Sequence, residues 1–516
     1  MRSKYTSRVA RWPVMVALAA AGLLATGMPA APASAAGASA PASDASGSAP
    51  ARSGLAAGTT TAGTPRAAGT APAGTATAGA ATAGAATATP SPHPSPSASP
   101  RATASPASSS PPGVCSTAPN GRLVNCPRPV PRAKMPPGAR NNTTLAQPVS
   151  NLAQLVDTRT WTSGGGNTYP GAEAPFGMTQ WSPDTEPNRS DGGGYNFGDT
   201  SLTGYALTHI SGPGCGAAGD VPVLPMTGAL PGGDPNRVTT AFSNSGEVAQ
   251  AGYYSAQSNQ PATITSEFTA TNRTSMGRFT FPATTRADFL VKLMDSQNGD
   301  FGDSAKVVSD HEIVGSDTSG HFCGERDNDG QVQEYTVYFD IVFDHPFTSS
   351  QIITEPGQAG PAAVFLTFDT TSGPVIQAKV GTSYVSTANA GLDVRTENPG
   401  WDFGTVENAA QQDWNSLLGE VQVSGRSYAQ TQEFYSLLYK DLMQPNISSD
   451  VNGQYMGSDF RVHTVSGGQQ MQYGTYSGWD IYHSLSQLQA MLDPQAASDQ
   501  AQSLLNYYAQ NKILQQ

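Results

Sequence analysis

The feature that most restricts the fold is a change of hydrophobic period near Trp401. Between Ala262 and Val385 the chain is a series of short β-type runs separated by turn residues. They are Thr263 to Thr269, with Ile264, Ser266 and Phe268 on one face, then Phe289 to Met294, Tyr335 to Phe343, Ala363 to Phe368 and Val375 to Val380. Such runs without intervening helices predict antiparallel sheets packed as a sandwich. Beyond Trp401 the period becomes 3.6: Val406, Ala410, Trp414, Leu417, Leu418 and Val421 share one helical face, and Gly425 breaks it. A second helix is expected over Ser427 to Met443, with Tyr428, Phe434, Leu437, Leu438 and Leu442 as its apolar face and Pro445 as its stop. A third should begin at Ser477, capped with Asp480, and turn Leu485, Leu488, Met491 and Leu492 inward. A fourth, capped by Asp493-Pro494, bears Leu504, Leu505 and Tyr508. The fold class is an all-β sandwich followed by an all-α segment.

The N-terminal part cannot share in either core. Residues 1–35 read as a secretory signal: Arg2, Lys4, Arg8 and Arg11, the apolar run Val14 to Met28, then Ala33-Ser34-Ala35 as a cleavage site. Residues 36–144 are almost entirely Ala, Thr, Ser, Gly and Pro, too poor in apolar mass to offset the entropy of folding, and are expected to be a disordered linker. Residues 1–140 hold twelve basic residues and one acidic residue, Asp44, which leaves 15 basic and 38 acidic residues, or −23, for residues 141–516. A folded region this acidic repels phosphate, which argues against nucleic acid and for a neutral ligand or one held with a cation.

Chemistry is sought first in Asp157 to Asp220, where fourteen of sixty-four residues are glycine and carboxylates and rings are interleaved with them. Glycine permits close backbone approach to a ligand. Asp184, Asp191, Asp199 and Asp220 are candidates by location for the two carboxylic acids of a glycosidase, with Asx-turns and caps as their ordinary role. Trp161, Tyr169, Phe176, Trp181, Tyr195 and Phe197 read mostly as plugs beneath loops, with one or two exposed rings as a platform for a sugar face. His209, Ser211 and Cys215 superficially suggest a nucleophilic hydrolase, but GxSxG is absent. Asp450-Val451-Asn452-Gly453 and Asp327-Asn328-Asp329-Gly330 resemble the start of a calcium loop without its closing glutamate, and read as turns. Cys115 and Cys126 flank a turn and suit a local disulfide, whereas pairing of Cys215 with Cys323 is open.

The order of VDTRTWTSGGGNTYPGAEAPFGMTQWSPDT, GGGYNFGDTSLTGYALTHISGPGCGAAGD, GHFCGE, VGTSYVSTANA and WDFGTVENAAQQDWNSLL resembles the N-terminal domain of glycoside hydrolase family 92, secreted exo-acting α-mannosidases. FYSLLYKDLMQPN, DVNGQYMGSD and SGWDIYHSLSQLQAMLDP continue the likeness. The resemblance implies a signal peptide over 1–35, a linker over 36–144, a β-sandwich over 145–404, a helical linker over 405–425 and, over 426–516, the beginning of an (α/α)6 catalytic barrel, incomplete in this chain. It implies removal of terminal α-linked mannose, α-1,2 by expectation, with inversion and with calcium as cofactor. The acid, the base and the calcium ligands are expected beyond Gln516, so no catalytic or metal-binding residue is assigned. Gly214 and Cys215 match the sandwich loop that reaches the sugar, and Trp479 and Asp480 match a barrel motif whose aspartate binds a sugar hydroxyl. PNRSDGG replaces aromatic residues that the family often carries before the GY segment. The expected partners are mannose-containing glycans outside the cell or at its surface, without nucleic acid or membrane. The competing reading is a non-catalytic carbohydrate-binding sandwich on a secreted stalk.

Overall fold

The computed structural model describes residues 116–117, 123–124, 144–145, 147–259, 261–320, 334–358 and 360–512. The expected signal, most of the linker, Cys115, Cys126, Cys323 and Asp327 to Gly330 lie outside these residues. All described residues fall in one unit, residues 104–516.

Fourteen strands make one continuous sheet: β1 Ser182–Glu186, β2 Ser201–Ala206, β3 Val223–Thr227, β4 Thr240–Gln250, β5 Tyr253–Ser258, β6 Ile264–Ala270 and β7 Thr274–Thr280, then β8 Ala287–Lys292, β9 Asp300–Val307, β10 Glu312–Gly320, β11 Glu334–Phe343, β12 Ser349–Thr354, β13 Pro361–Phe368 and β14 Val375–Ser383. Their order is β9-β10-β11-β14-β7-β6-β5-β4-β2-β3-β8-β13-β12, with β1 on β2. The short β4–β2 pairing, Ser201 to Ala241 and Leu202 to Thr240, joins two layers. Rings from the two layers interlock across the core: Phe279 on β7 meets Phe289 on β8 at 4.8 Å, and Phe289 meets Phe343 on β11 at 5.4 Å. The sheet nearly closes, because the turn ahead of β13 lies on β9. A Cβ on Gly360 would stand 2.5 Å from the Asp303 carbonyl, so only glycine lets the two edges meet.

The strands start earlier than the sequence pattern suggests. β1 to β5 precede Ala262, and β1 and β2 lie inside the glycine-rich stretch. Their residues are buried nearly throughout, so the period-2 alternation that marks a half-exposed strand is missing. Within β6 the expected face is seen: Ile264, Ser266 and Phe268 are buried, while Thr265 and Glu267 are not fully so.

Among the described residues, seven helices follow or flank the sheet: α1 Leu152–Leu155, α2 Thr387–Glu397, α3 Phe403–Leu418, α4 Tyr428–Lys440, α5 Gly478–Ile481, α6 Leu485–Leu492 and α7 Pro494–Asn511. Helix α3 starts where Asp402 accepts the Thr405 amide, and it buries Ala410, Trp414 and Leu418 as its spacing predicts. Helix α4 carries a full capping box between Ser427 and Gln430. Its buried face is Tyr435, Leu438 and Tyr439, and Leu437 points outward, so the expected apolar face is rotated toward the tyrosines. Tyr169, Phe176 and Met178 of the glycine-rich stretch share a core with Trp414, Tyr439, Leu442 and Tyr473, so the helices and the sheet domain pack as one body.

The third expected helix is broken. Helix α5 ends at Ile481, and Ser477 makes no cap bond to the backbone; its hydroxyl instead donates to the Asp480 carboxylate. Met491 of α6 is 67% exposed, against the expected inward orientation. Asp493 does cap α7, accepting from the Ala496 amide, yet α7 buries Asp499, Gln500, Ser503 and Tyr507 and exposes Leu505 and Tyr508. The polar side is drawn inward by bonds to the 469–473 segment, such as Asp499 Oδ2 accepting from the Gln470 and Met471 amides.

Candidate functional site

The glycine-rich stretch is shaped by left-handed backbone. Among the described residues, Trp161, Asn167, Phe176, Ala218 and Val221 have positive φ although none is glycine. Such conformations cost energy and persist where surrounding structure holds them, often at ligand sites. Gly192 and Gly194 show what glycine permits. A Cβ on Gly192 would lie 1.9 Å from the Pro213 carbonyl, and one on Gly194 would lie 2.0 Å from Asp184 Oδ1. The two segments 188–197 and 211–219 are thereby pressed together.

Beneath them is a buried network of ions. Asp184 is fully buried, accepting from Arg189 Nε at 2.8 Å and facing His209 Nε2 at 2.9 Å. The other His209 nitrogen, Nδ1, meets the Gln180 carbonyl at 2.9 Å and therefore donates. Arg189 also binds Asp295 at 2.7 Å, and Lys292 reaches Asp295 at 3.1 Å. Asp199 is buried and accepts from Thr185 Oγ1 and from the side-chain and backbone nitrogens of Asn188. Asp220 accepts from Thr208 Oγ1 at 2.6 Å and Tyr335 at 3.0 Å, and burial raises its pKa. Asp184, Asp199 and Asp220 are thus internal acceptors that hold the loops, out of reach of a substrate. The side chain of Asp191 lies outside the described features. His209 has both nitrogens occupied in the interior, and Cys215 is disulfide-bonded. A nucleophilic hydrolase built on His209, Ser211 and Cys215 is overturned by that geometry.

Above the network lies a pocket of about 140 Å³, lined by Thr162, Ser163, Gly164, Gly165, Asn167, Asn188, Gly192, Tyr195 and Asn196. Among the described side chains, hydroxyls and amides make its wall together with glycine backbone. Of the six aromatic residues, Tyr169, Phe176, Trp181 and Tyr195 are buried plugs, whereas Trp161 is 62% and Phe197 48% exposed. The Phe197 amide donates to the Thr162 carbonyl at 3.0 Å, which ties together the two segments that carry the exposed rings.

Gly214 is exposed beside this pocket, with the Asn167 amide 3.6 Å from where its Cβ would be, and Cys215 is half-buried. Asp480 is exposed on α5, in the first turn with Trp479 beside it in sequence; of the Trp479 side chain nothing is described. The loop and the helices are linked through Gln444. Its amide, turned so that nitrogen faces the Ser211 carbonyl at 3.1 Å and oxygen the Ser211 amide at 3.0 Å, clasps the loop backbone. Gln489 of α6 donates to the Gln444 carbonyl at 2.7 Å.

Sequence reasoning did not single out Arg189, Asp295, Lys292, Gln444 or Glu173. Each acts through at least one partner far away in sequence, which for Lys292 is the Asn236 carbonyl at 2.8 Å. Glu173 is buried against Tyr169 and Tyr439, with its pKa pushed by burial to about 8, and Lys440 nearby is lowered by burial to about 7. The PNRSDGG segment held the one legible sign, a lone arginine among glycines and aspartates.

Comparison with known proteins places this geometry. Residues 155–383 match the glycosyl hydrolase family 92 N-terminal domain, and residues 389–516 match the family 92 catalytic domain. The family GH92 α-mannosidase BT3965 from Bacteroides thetaiotaomicron is 26% identical, with a TM-score of 0.63 over 70% of this chain and 50% of its own. A second structure of that protein, in complex with mannoimidazole, matches at a TM-score of 0.62, 26% identity, and 70% and 49% coverage. A protein of Arthroderma benhamiae described as an uncharacterized secreted glycosidase is 24% identical over 339 residues, which is 58% of this chain and 42% of that protein. The chain spans about half the length of these relatives or less. With both domains of the family matched in order along it, the chain belongs to glycoside hydrolase family 92.

Proposed function

We propose that this chain is the sugar-gripping part of a secreted exo-α-mannosidase that removes terminal α-linked mannose, with α-1,2 as the first linkage to test. The observation that carries the reading is the junction: the loop with Gly214 and Cys215 is tied to the helical segment through Ser211, Gln444 and Gln489. Groups from both family domains thereby bear on one region. Trp161 and Phe197 offer flat apolar faces to a sugar, and the pocket wall offers amides and hydroxyls to its hydroxyl groups. Gly214, Cys215, Trp479 and Asp480 are proposed as substrate-binding residues, acting by orientation of the sugar.

The reaction proposed is a single displacement with inversion. A carboxylic acid protonates the leaving oxygen while a carboxylate draws a proton from the attacking water on the opposite face. Calcium is the family's implied cofactor, but no described side chain of the pocket wall is a carboxylate, and Asp480 accepts from the Ser477 hydroxyl. These residues do not fit a calcium set. The acid, the base and the catalytic calcium ligands are proposed to come from barrel sequence other than residues 426–516. Residues 1–35 are proposed as a secretory signal, 36–144 as a linker, 145–404 as the sandwich domain and 405–425 as the helical connection. Among the described residues no helix is long and apolar enough to cross a membrane.

Protein expressed from the complete gene should release mannose from α-1,2-mannobiose, with the β-anomer appearing first by NMR. Absence of release from any α-mannobiose would overturn the enzymatic reading, and binding without release would favour the carbohydrate-binding one.

A further inference from the structure

Where β9 and β10 meet, the chain places Asp303 directly opposite Asp317 in antiparallel register. Like charges at opposed positions repel. Asp300 completes a group in which one carboxylate oxygen from each residue lies within 4.8 Å of the others. Asp220 acts on the same group electrostatically, raising Asp317 further. No lysine or arginine among the described residues forms an ion pair with Asp300, Asp303 or Asp317.

Satisfaction of the buried atoms is a separate observation. Asp317 is fully buried, and neither of its carboxylate oxygens receives a hydrogen bond from an N–H or hydroxyl among the described residues; the Asp303 carboxyl beside it can bond it only through a shared proton, and Oδ1 of Asp303 lacks a donor as well. Asn298 is 5% exposed and also keeps its Oδ1 without a donor, while its amide donates to Tyr335, which in turn donates to Asp220. A buried carboxylate is stable only with donors, with a proton or with a cation. Here the protein supplies acceptors on several sides and few donors.

We propose that Asp300, Asp303 and Asp317 bind a divalent cation, calcium by preference, that closes the sheet where β9 meets the Gly360 turn. The donors are all hard oxygens, which suits calcium or magnesium and excludes soft metals. Oxygens on one calcium ion at 2.3–2.6 Å can stand up to about 5 Å apart, so a set with one oxygen from each residue within 4.8 Å can share a calcium ion. This site belongs to the sandwich and is independent of any calcium in the catalytic barrel. It would tie the edge strand β9 to its neighbour β10.

The test is calorimetric titration of calcium into the chelator-treated full chain, with thermal melts in parallel. One calcium-binding event should be present in the wild type and weakened at least tenfold in Asp317→Asn and in Asp300→Asn. An exposed control, Asp234→Asn, should bind as the wild type does. Without calcium, Asp317→Asn should melt higher than the wild type, because the amide relieves repulsion from Asp303. With calcium, the order should reverse. Superimposable titrations of the wild type and both variants would overturn the proposal, as would the absence of any binding. Either result would leave a shared proton as the means of holding Asp303 and Asp317 together.

Discussion

Two groups of carboxylates, each with a fully buried member, sit next to each other in the sheet domain, and they are balanced by different means. Asp184 and Asp295 are matched by Arg189 and Lys292, with His209 against Asp184; every member of that group is held by a hydrogen bond. Asp300, Asp303 and Asp317 begin only five residues after Asp295 in sequence, yet no protein cation pairs with them among the described residues, and Asp317 receives no donor. A buried charge must be compensated. The first group brings its countercharge with it and is expected to be indifferent to ions; the second requires protons or a cation.

Removing the built-in cation should break the comparison most severely. Arg189→Met leaves Asp184 with His209 alone and Asp295 with Lys292 alone, and breaking a buried pair costs about 3–5 kcal/mol. Chemical denaturation should show that loss, and calcium should not restore it. The next effect belongs to the second group: calcium at one hundred times its dissociation constant should stabilise the wild type by about 2.7 kcal/mol and leave Asp317→Asn nearly unchanged.

The pH dependence separates the groups further. Burial, with Asp303 and Asp220 beside it, raises Asp300 from 3.8 to about 7, and burial raises Asp303 to about 6. A carboxylate raised by folding holds its proton more tightly in the folded chain than in the unfolded one. Its contribution is therefore full below the unfolded value and is lost as pH rises toward the folded one. Without calcium, stability should fall between about pH 4 and pH 7 on this account. Saturating calcium should flatten that part of the slope, while raised groups elsewhere, including Glu173, Asp340 and Asp393, keep a residual slope that calcium does not touch. Melting curves across that range, with and without calcium, measure the difference.

The smallest change in stability is expected outside both groups. Trp161→Ala and Phe197→Ala remove exposed rings, so stability should shift by no more than about 0.5 kcal/mol. If the rings form the sugar platform, affinity for α-1,2-mannobiose should nevertheless fall about tenfold, or about 1.4 kcal/mol. Unchanged affinity in the double variant would remove the platform from the account.

What could be read in the sequence follows from how local each cause is. Strand β6 alternates, α3 repeats every three to four residues, and Ser427 and Asp493 cap helices within three residues of themselves; all of these were legible. Strands β1 to β3 were hidden because their side chains are buried on both faces, leaving no alternation. Helix α2 was hidden for the opposite reason, since its buried face includes Asn389, Gly391 and Asp393. At the site, the exposed rings were legible as a class but not as the particular pair Trp161 and Phe197. The aspartates looked catalytic because they lie among glycines, whereas their partners, Arg189 for Asp184 and Tyr335 for Asp220, are chosen by folding. Opposition of Asp303 to Asp317 depends on strand register, which spacing alone does not reveal.

The claim that the second group is completed by an ion is tested most directly by crystals grown with terbium, a calcium mimic with strong anomalous scattering. The account predicts an anomalous peak coordinated by Asp300, Asp303 and Asp317, and none beside Asp184 and Asp295. An empty position at full terbium occupancy elsewhere, with Asp303 and Asp317 in direct hydrogen-bonded contact, would contradict it.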